Sequence, residues 1–255
     1  LEKFPASVGL RDDLSIEHAT LLNQTGNHGK AREVIESRNF QPWEGGEGQA
    51  LGQYVRTHLA LGRRSLKSGD IAAAKRFFES ALQPPTSLGE AKHLLSNQSD
   101  IYYWMGIVCR EAGDRSEATR WWHKAAASRG DFQEMRVRSF SEMTYYNALA
   151  LRELGKPAQA GTLLRGLLVF AGMQLRTKAG IDYFATSLPA MLLFEDDMQK
   201  HRTVTARFLQ AQAELGLGRV SQARNHLAQV LTLDGNHGRA ADLLAELESG
   251  GPHAR

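Results

Sequence analysis

Only one cysteine, Cys109, occurs in 255 residues. No internal disulfide framework is possible, and a reducing, cytoplasmic compartment is the expectation. Charge of one sign is also scarce. Thirty-one Lys and Arg stand against 28 Asp and Glu, interspersed along the chain, so no basic block grips phosphates and nucleic acid is not an expected partner. No run reaches the roughly 18 consecutive apolar residues that a bilayer demands, and charges recur through the first twenty residues. A soluble chain with no membrane partner is therefore expected.

The signatures of chemistry are missing as well. There is no H-E-x-x-H, C-x-x-C, G-x-S-x-G or dinucleotide fingerprint, and the nine histidines are dispersed without the i, i+4 spacing that aims two imidazoles at one metal. No catalytic residue, metal or cofactor is expected. Cys109 reads as a small buried thiol on the inner side of a helix rather than as a nucleophile. "FEDD" at 194 to 197 offers three successive acids, read as a solvated helix start rather than a cation site.

What is present is an internal repeat. With 42% apolar residues the chain can bury a substantial interior. Five glycines, Gly26, Gly69, Gly113, Gly155 and Gly218, each separate two apolar helical stretches. Seven residues before them stand Ala19, Gly62, Gly106, Ala148 and Ala211, all small. Five residues after them stand Ala31, Ala74, Ala118, Ala160 and Ala223, and nine after stand the large apolar Ile35, Phe78, Trp122, Leu164 and Leu227. A glycine at positive φ ends helix A and lets the chain reverse into helix B. Small residues let the two axes approach, and the large one fills the groove between successive pairs.

This frame resembles the tetratricopeptide repeat. The third copy, "YYWMGIVCREAGDRSEATRWWHKAA", carries it through Gly106, Gly113, Ala118, Trp122 and Ala125. The second, "LALGRRSLKSGDIAAAKRFFESALQPP", adds Ala81 and a stop at Pro84, and the last ends "LTLDGNH", with Gly235 where the family usually has proline. The resemblance implies an all-α, right-handed superhelical solenoid of antiparallel helix pairs. The glycines lie 43, 44, 42 and 63 residues apart, more than the family period of about 34. Lengthened A helices over 47–68, 90–112 and 132–154 would absorb the excess; loops of about ten residues are the alternative. Four repeats are expected in residues 1–175, and an inserted helical segment with a turn at Pro189 in 176–202. A terminal repeat is expected in 203–248 and a disordered tail in 249–255, all as one continuous solenoid domain. The lead-in beginning at Leu1 suggests a piece of a longer protein.

"PWEGGEG", residues 42 to 48, reads as a corner between helix pairs, with Trp43 as a plug and Glu44 and Glu47 too loosely held for acid–base work. Recognition is instead expected on a groove lined by A-helix positions. These are Arg56 and Arg63, then Asp100, Tyr103 and Arg110, then Glu142, Tyr145 and Arg152, because tyrosine with arginine suits binding hot spots. The alternative is that each acid–tyrosine–arginine ladder satisfies itself. Tyr103, Ile107, Tyr145 and Leu149 stand where the chaperone-type carboxylate clamp would carry lysine and asparagine, which argues against that clamp.

"FQPWEGGEGQALGQYV", "NQSDIYYWMG" and "IDYFATSLPAMLLFEDD" further resemble the C-terminal helical region of large bacterial multidomain proteins of uncertain function, in which a β-rich region comes first. The resemblance implies a domain working beside another and assigns no activity. The fivefold frame without active-site signatures leads to the expectation of a non-catalytic docking or scaffolding module for protein binding, whose groove holds a peptide, a neighbouring domain such as an upstream one, or a loop of its own polypeptide. The alternative is an accessory domain that completes a carbohydrate-active site through Glu44, Glu47 or Asp182.

Overall fold

The computed structural model describes residues 5–42, 46–128, 130–133, 136–179 and 198–248. Among the described residues the regular structure is helical apart from one short hairpin. Its helices are α1 (Pro5–Leu10), α2 (Asp12–Gln24), α3 (His28–Glu36), α4 (Gln49–Lys67), α5 (Ile71–Leu82), α6 (Ser99–Glu111) and α7 (Arg115–Ala127). Then come α8 (Met143–Glu153), α9 (Pro157–Arg176), α10 (Met198–Gly216), α11 (Val220–Leu233) and α12 (Gly238–Glu248). The chain divides into two compact units, Leu1–Leu94 with Trp104–Ala118, and Leu95–Tyr103 with Thr119–Arg255. In the first, α2, α3, α4 and α5 pack in sequence; in the second, α8, α9, α10, α11 and α12 do so. No described helix is long and apolar enough to cross a membrane.

All five frame glycines lie at positive φ, between 72° and 86°. Each makes the same pair of bonds. At the second turn the Gly69 N–H donates to Leu66 O at 3.1 Å and the Asp70 N–H to Ser65 O at 2.9 Å; at the last, Gly218 donates to Leu215 O and Arg219 to Glu214 O. These two bonds cover helix-end carbonyls that would otherwise be orphaned, and they need the left-handed glycine between them. Asp70 and Asp114 then cap the helices that follow, accepting from the amides of Ala73 and Glu117, each at 2.9 Å.

The small and large positions of the frame are interior. Ala19, Ala31, Ala74, Ala118, Ala148, Ala160, Ala211 and Ala223 are fully buried, as are Phe78, Leu164 and Leu227. In the first unit a Cβ on Gly62 would sit 2.2 Å from the Phe78 ring. That ring also stacks on Trp104 of α6, centroids 6.1 Å apart. Phe78 thus touches its own A helix and the next one, which is the role its spacing assigns. In the second unit Leu164 of α9 closes over Gly216 of α10 in the same manner. Phe40, Tyr54 and Leu88 add to the core of the first unit, and Leu167, Ala171, Leu209 and Ala213 form one in the second.

Two of the three lengthened A helices are corrected. The first, expected over 47–68, is α4, Gln49–Lys67. The second, expected over 90–112, begins only at Ser99. Pro84, Pro85 and Gly89, the last at φ 73°, break the helical path before it. The polar groups of the segment are committed elsewhere. The Phe40 N–H donates to Ser87 O at 2.8 Å, Glu90 accepts from Gly48 and Leu51 at the start of α4, and Lys92 Nζ donates to Ala81 O at the end of α5. The third helix, expected over 132–154, is α8 from Met143 only. Before it an antiparallel hairpin pairs β1 (Asp131–Gln133) with β2 (Arg136–Arg138). Gly130 admits the hairpin because a Cβ there would meet Arg138 O at 2.7 Å. Ser141 and Thr144 start α8 through reciprocal bonds, Thr144 Oγ1 accepting from the Ser141 amide at 3.0 Å. The turn at Pro189, the acids at 194–197 and the tail lie outside the described residues.

Candidate functional site

A buried polar lattice positions the first turns of α6 and α8 in the second unit. The Asn97 amide donates to Asp131 Oδ1 at 3.0 Å, and its side chain donates to Gly130 O at 2.8 Å. Ser99 Oγ donates to Ala125 O at 3.1 Å, and Asn147 Nδ2 donates to Ser99 Oγ at 2.7 Å and to Ala125 O. Ser99 and Asn147 are almost completely buried, so each bond removes an orphaned polar group and fixes a helix end. On that base α6 carries Asp100 and Tyr103, α8 carries Tyr145 and Tyr146, and Glu142 stands just before α8.

Four of the sequence-selected residues therefore gather in one unit. Tyr146 joins their tyrosines: its ring lies 6.1 Å from Tyr103 and 5.3 Å, edge-on, from Tyr145. Tyr103 and Tyr145 are buried, so they form a floor and not an exposed ladder. Burial first, then the neighbouring Tyr146 and Tyr103, pushes the Tyr145 phenol well above its ordinary value, with Arg152 acting the other way. A neutral phenol at physiological pH follows.

Glu142 is met by a residue that the repeat frame could not reveal. Arg239, in the first turn of α12, pairs with Glu142 Oε2. Glu142 first, with Asp100 and Tyr146 assisting, raises the guanidinium above its ordinary value, while burial opposes them. Gln212 of α10 donates through Nε2 to the Glu142 carbonyl at 3.3 Å. The remaining expected residue of this unit, Arg152, is exposed and donates to Gly216 O at the end of α10. Glu142 is thus held by one arginine and one glutamine beside a packed tyrosine cluster. A carboxylate so placed suits a planar, multiply donating cation better than a bond-making step.

The other expected residues belong to the first unit. The Arg63 guanidinium lies 5.8 Å from the Trp104 ring centroid, Arg56 is half-buried, and Arg110 is exposed and paired with Glu111 at 3.1 Å. Of the glycine corner, Trp43 and Glu44 lie outside the described residues, as does Asp182; Glu47 is exposed and leads into α4. Cys109 is buried, and burial raises its thiol above the ordinary value, as expected of an inert thiol. Among the described residues no His, Cys, Asp and Glu group gathers as metal ligands would. Tyr146 was signalled only by the doublets Tyr102–Tyr103 and Tyr145–Tyr146, whereas Gln212 and Arg239 carry no local mark. No family model matches the chain.

Proposed function

We propose that the chain is a non-catalytic docking module built from tetratricopeptide-like helix pairs, winding with that family's right-handed turn within each unit. It holds a peptide or a neighbouring domain of a bacterial parent protein. One observation carries this reading: Arg239 pairs with Glu142 beside the packed rings of Tyr103, Tyr145 and Tyr146, and a buried hydrogen bond joins α6 to α8. A partly exposed tyrosine, Tyr146, held rigid by buried rings beside an ion pair is what binding hot spots use. Rigid helices also limit the ordering cost of association.

The test is calorimetric titration of the whole chain with the upstream region of its parent polypeptide, produced separately. Docking is expected, weakened about tenfold or more by Glu142→Gln. Arg110→Ala, at an exposed residue of the first unit that pairs with Glu111, is expected to leave it unchanged. Equal affinity for all three proteins would remove Glu142 from the interface.

A further inference from the structure

We propose that the solvent-exposed face of α9 is a second docking surface, and that it takes an acidic amphipathic helix of a partner protein. This goes beyond the docking reading and does not rest on Glu142. Three observations in the second unit converge on it.

The first is the composition of the helix against its place in the fold. α9 has 20 residues and only two charges, Arg165 and Arg176. Its inner face buries Ala160, Leu164, Leu167 and Ala171. A helix so placed ordinarily turns charged groups to water, as α5 does with Lys75, Arg76 and Glu79. α9 does not. Positions 158, 162, 165, 169, 173 and 176 recur at steps of three and four, so they share one face, and all six are exposed. Val169 is 61% exposed there and Met173 48%. The helix also outruns α5, α7 and α11, which have 12, 13 and 14 residues, and Met173 and Arg176 stand in its extra turns. A continuous apolar stripe of this kind marks a surface that another molecule covers.

The second is a hollow at the other end of the same face. Leu151 of α8 and Ala158, Gln159, Thr162 and Leu163 of α9 line an open cavity of about 430 Å³. Ala158 and Thr162 belong to both hollow and stripe, so the two are continuous. The Thr162 hydroxyl is already committed, donating to Ala158 O and accepting from Arg165 Nη2, each at 3.1 Å. Only the Gln159 amide is left among the lining side chains to orient a polar ligand, so the hollow suits a bulky apolar side chain. A helix laid along α9 places one such anchor in the hollow and its next turns on Val169 and Met173.

The third is charge. From Lys156 to Lys178 the chain carries Lys156, Arg165, Arg176 and Lys178 and no carboxylate. Among the described residues neither Arg165 nor Arg176 meets a carboxylate, whereas Lys75 of α5 has Glu79 at 3.9 Å. The two arginines border the apolar stripe eleven residues apart, about 16 Å along the helix. That pattern defines its complement: apolar residues at helical spacing, with carboxylates about three turns apart on the flank, each able to accept a guanidinium fork. An anionic lipid surface would be met by aromatic or leucine side chains, and the six exposed positions hold neither.

The full chain is titrated by calorimetry with an acetylated, amidated helical peptide of about 15 residues, bearing leucines on one stripe and two glutamates about eleven residues apart beside it. Binding is expected, and a counterpart with lysine for glutamate should bind about tenfold more weakly or worse. Val169→Glu with Met173→Glu should weaken the first peptide about tenfold without lowering the melting temperature, because both side chains are exposed. Arg165→Glu with Arg176→Glu should reverse the preference between the peptides, which a loss of folding cannot imitate. Glu142→Gln should leave the affinity unchanged. Failure of both peptides to bind, equal binding of the two, or a preference that survives the charge reversal would each overturn the proposal. So would binding to phosphatidylserine vesicles in place of the peptide. A dimer seen by light scattering and abolished by Val169→Glu with Met173→Glu would give the face to a second copy instead. Peptide binding that begins only when a glycine–serine linker replaces residues 180–197 would give it to the chain's own segment, equally contrary to a partner.

Discussion

His58 shows how one side chain ties the first unit together and makes its stability depend on pH. It is 2% exposed in α4; its Nδ1–H donates to the Tyr54 carbonyl at 2.9 Å, and its Nε2 lies 3.2 Å from Glu36 Oε1 of α3. Its ring lies against Tyr54, centroids 4.0 Å apart, and meets the edge of Phe77. Burial pushes the imidazole below its ordinary 6.5, and Arg32 of α3 acts in the same direction; the Tyr54 carbonyl and Glu36 oppose them. The unfolded chain therefore takes up this proton more readily than the folded one. The stability contributed by His58 is complete above pH 6.5 and is lost as pH falls through the depressed folded value. Replacing His58 by Gln should flatten the pH dependence of the melting temperature just below 6.5, measured by circular dichroism. An unchanged slope would place the acid sensitivity elsewhere. Residue by residue, the frame was the most legible part of the sequence. A buried alanine and a groove-filling Phe78 or Leu164 are set by nearest neighbours at fixed helical spacing. His58 was not legible, because its partners Glu36 and Phe77 come from separate helices.

At the scale of elements, the same contrast separates turns from helix starts. The five glycine turns are closed by bonds that span at most five residues, so their chemistry is local and can be read in order. The start of α4 is closed by Glu90, about forty residues away, which accepts from the amides of Gly48 at 2.6 Å and Leu51 at 3.0 Å. Glu90 and Lys92 look like ordinary helix residues until both are found capping other helices, which is why an A helix was expected over 90–112. A carboxylate at a helix N-terminus stabilises by about 1 kcal/mol. Glu90→Ala should therefore raise amide hydrogen exchange at Gly48 and Leu51 about fivefold, read by NMR, while amides in α5 keep their protection. Unaltered exchange at those two amides would mean that the corner holds α4 without Glu90. The hairpin before α8 was hidden for a related reason. Asn97 grips Gly130 and Asp131 from more than thirty residues away.

For the whole molecule, the architecture follows from one rule of size. Small side chains stand where helices approach and large ones stand where pairs meet, and the rule recurs in both units. The candidate site was half legible by that rule. Tyr103 and Tyr145 occupy repeat positions and meet through Tyr146 in the second unit, whereas Arg239 and Gln212 reach Glu142 from helices that the spacing alone does not bring there. The most direct measurement compares two identical changes in α11: Ala223→Leu at a fully buried frame position and Ala228→Leu on the exposed side of the same helix. Overpacking at the first should cost about 1–3 kcal/mol of unfolding free energy in urea. The second should stay within about 0.5 kcal/mol of the unaltered chain. Equal losses at both positions would mean that close helix approach at the frame alanines does not hold this fold together.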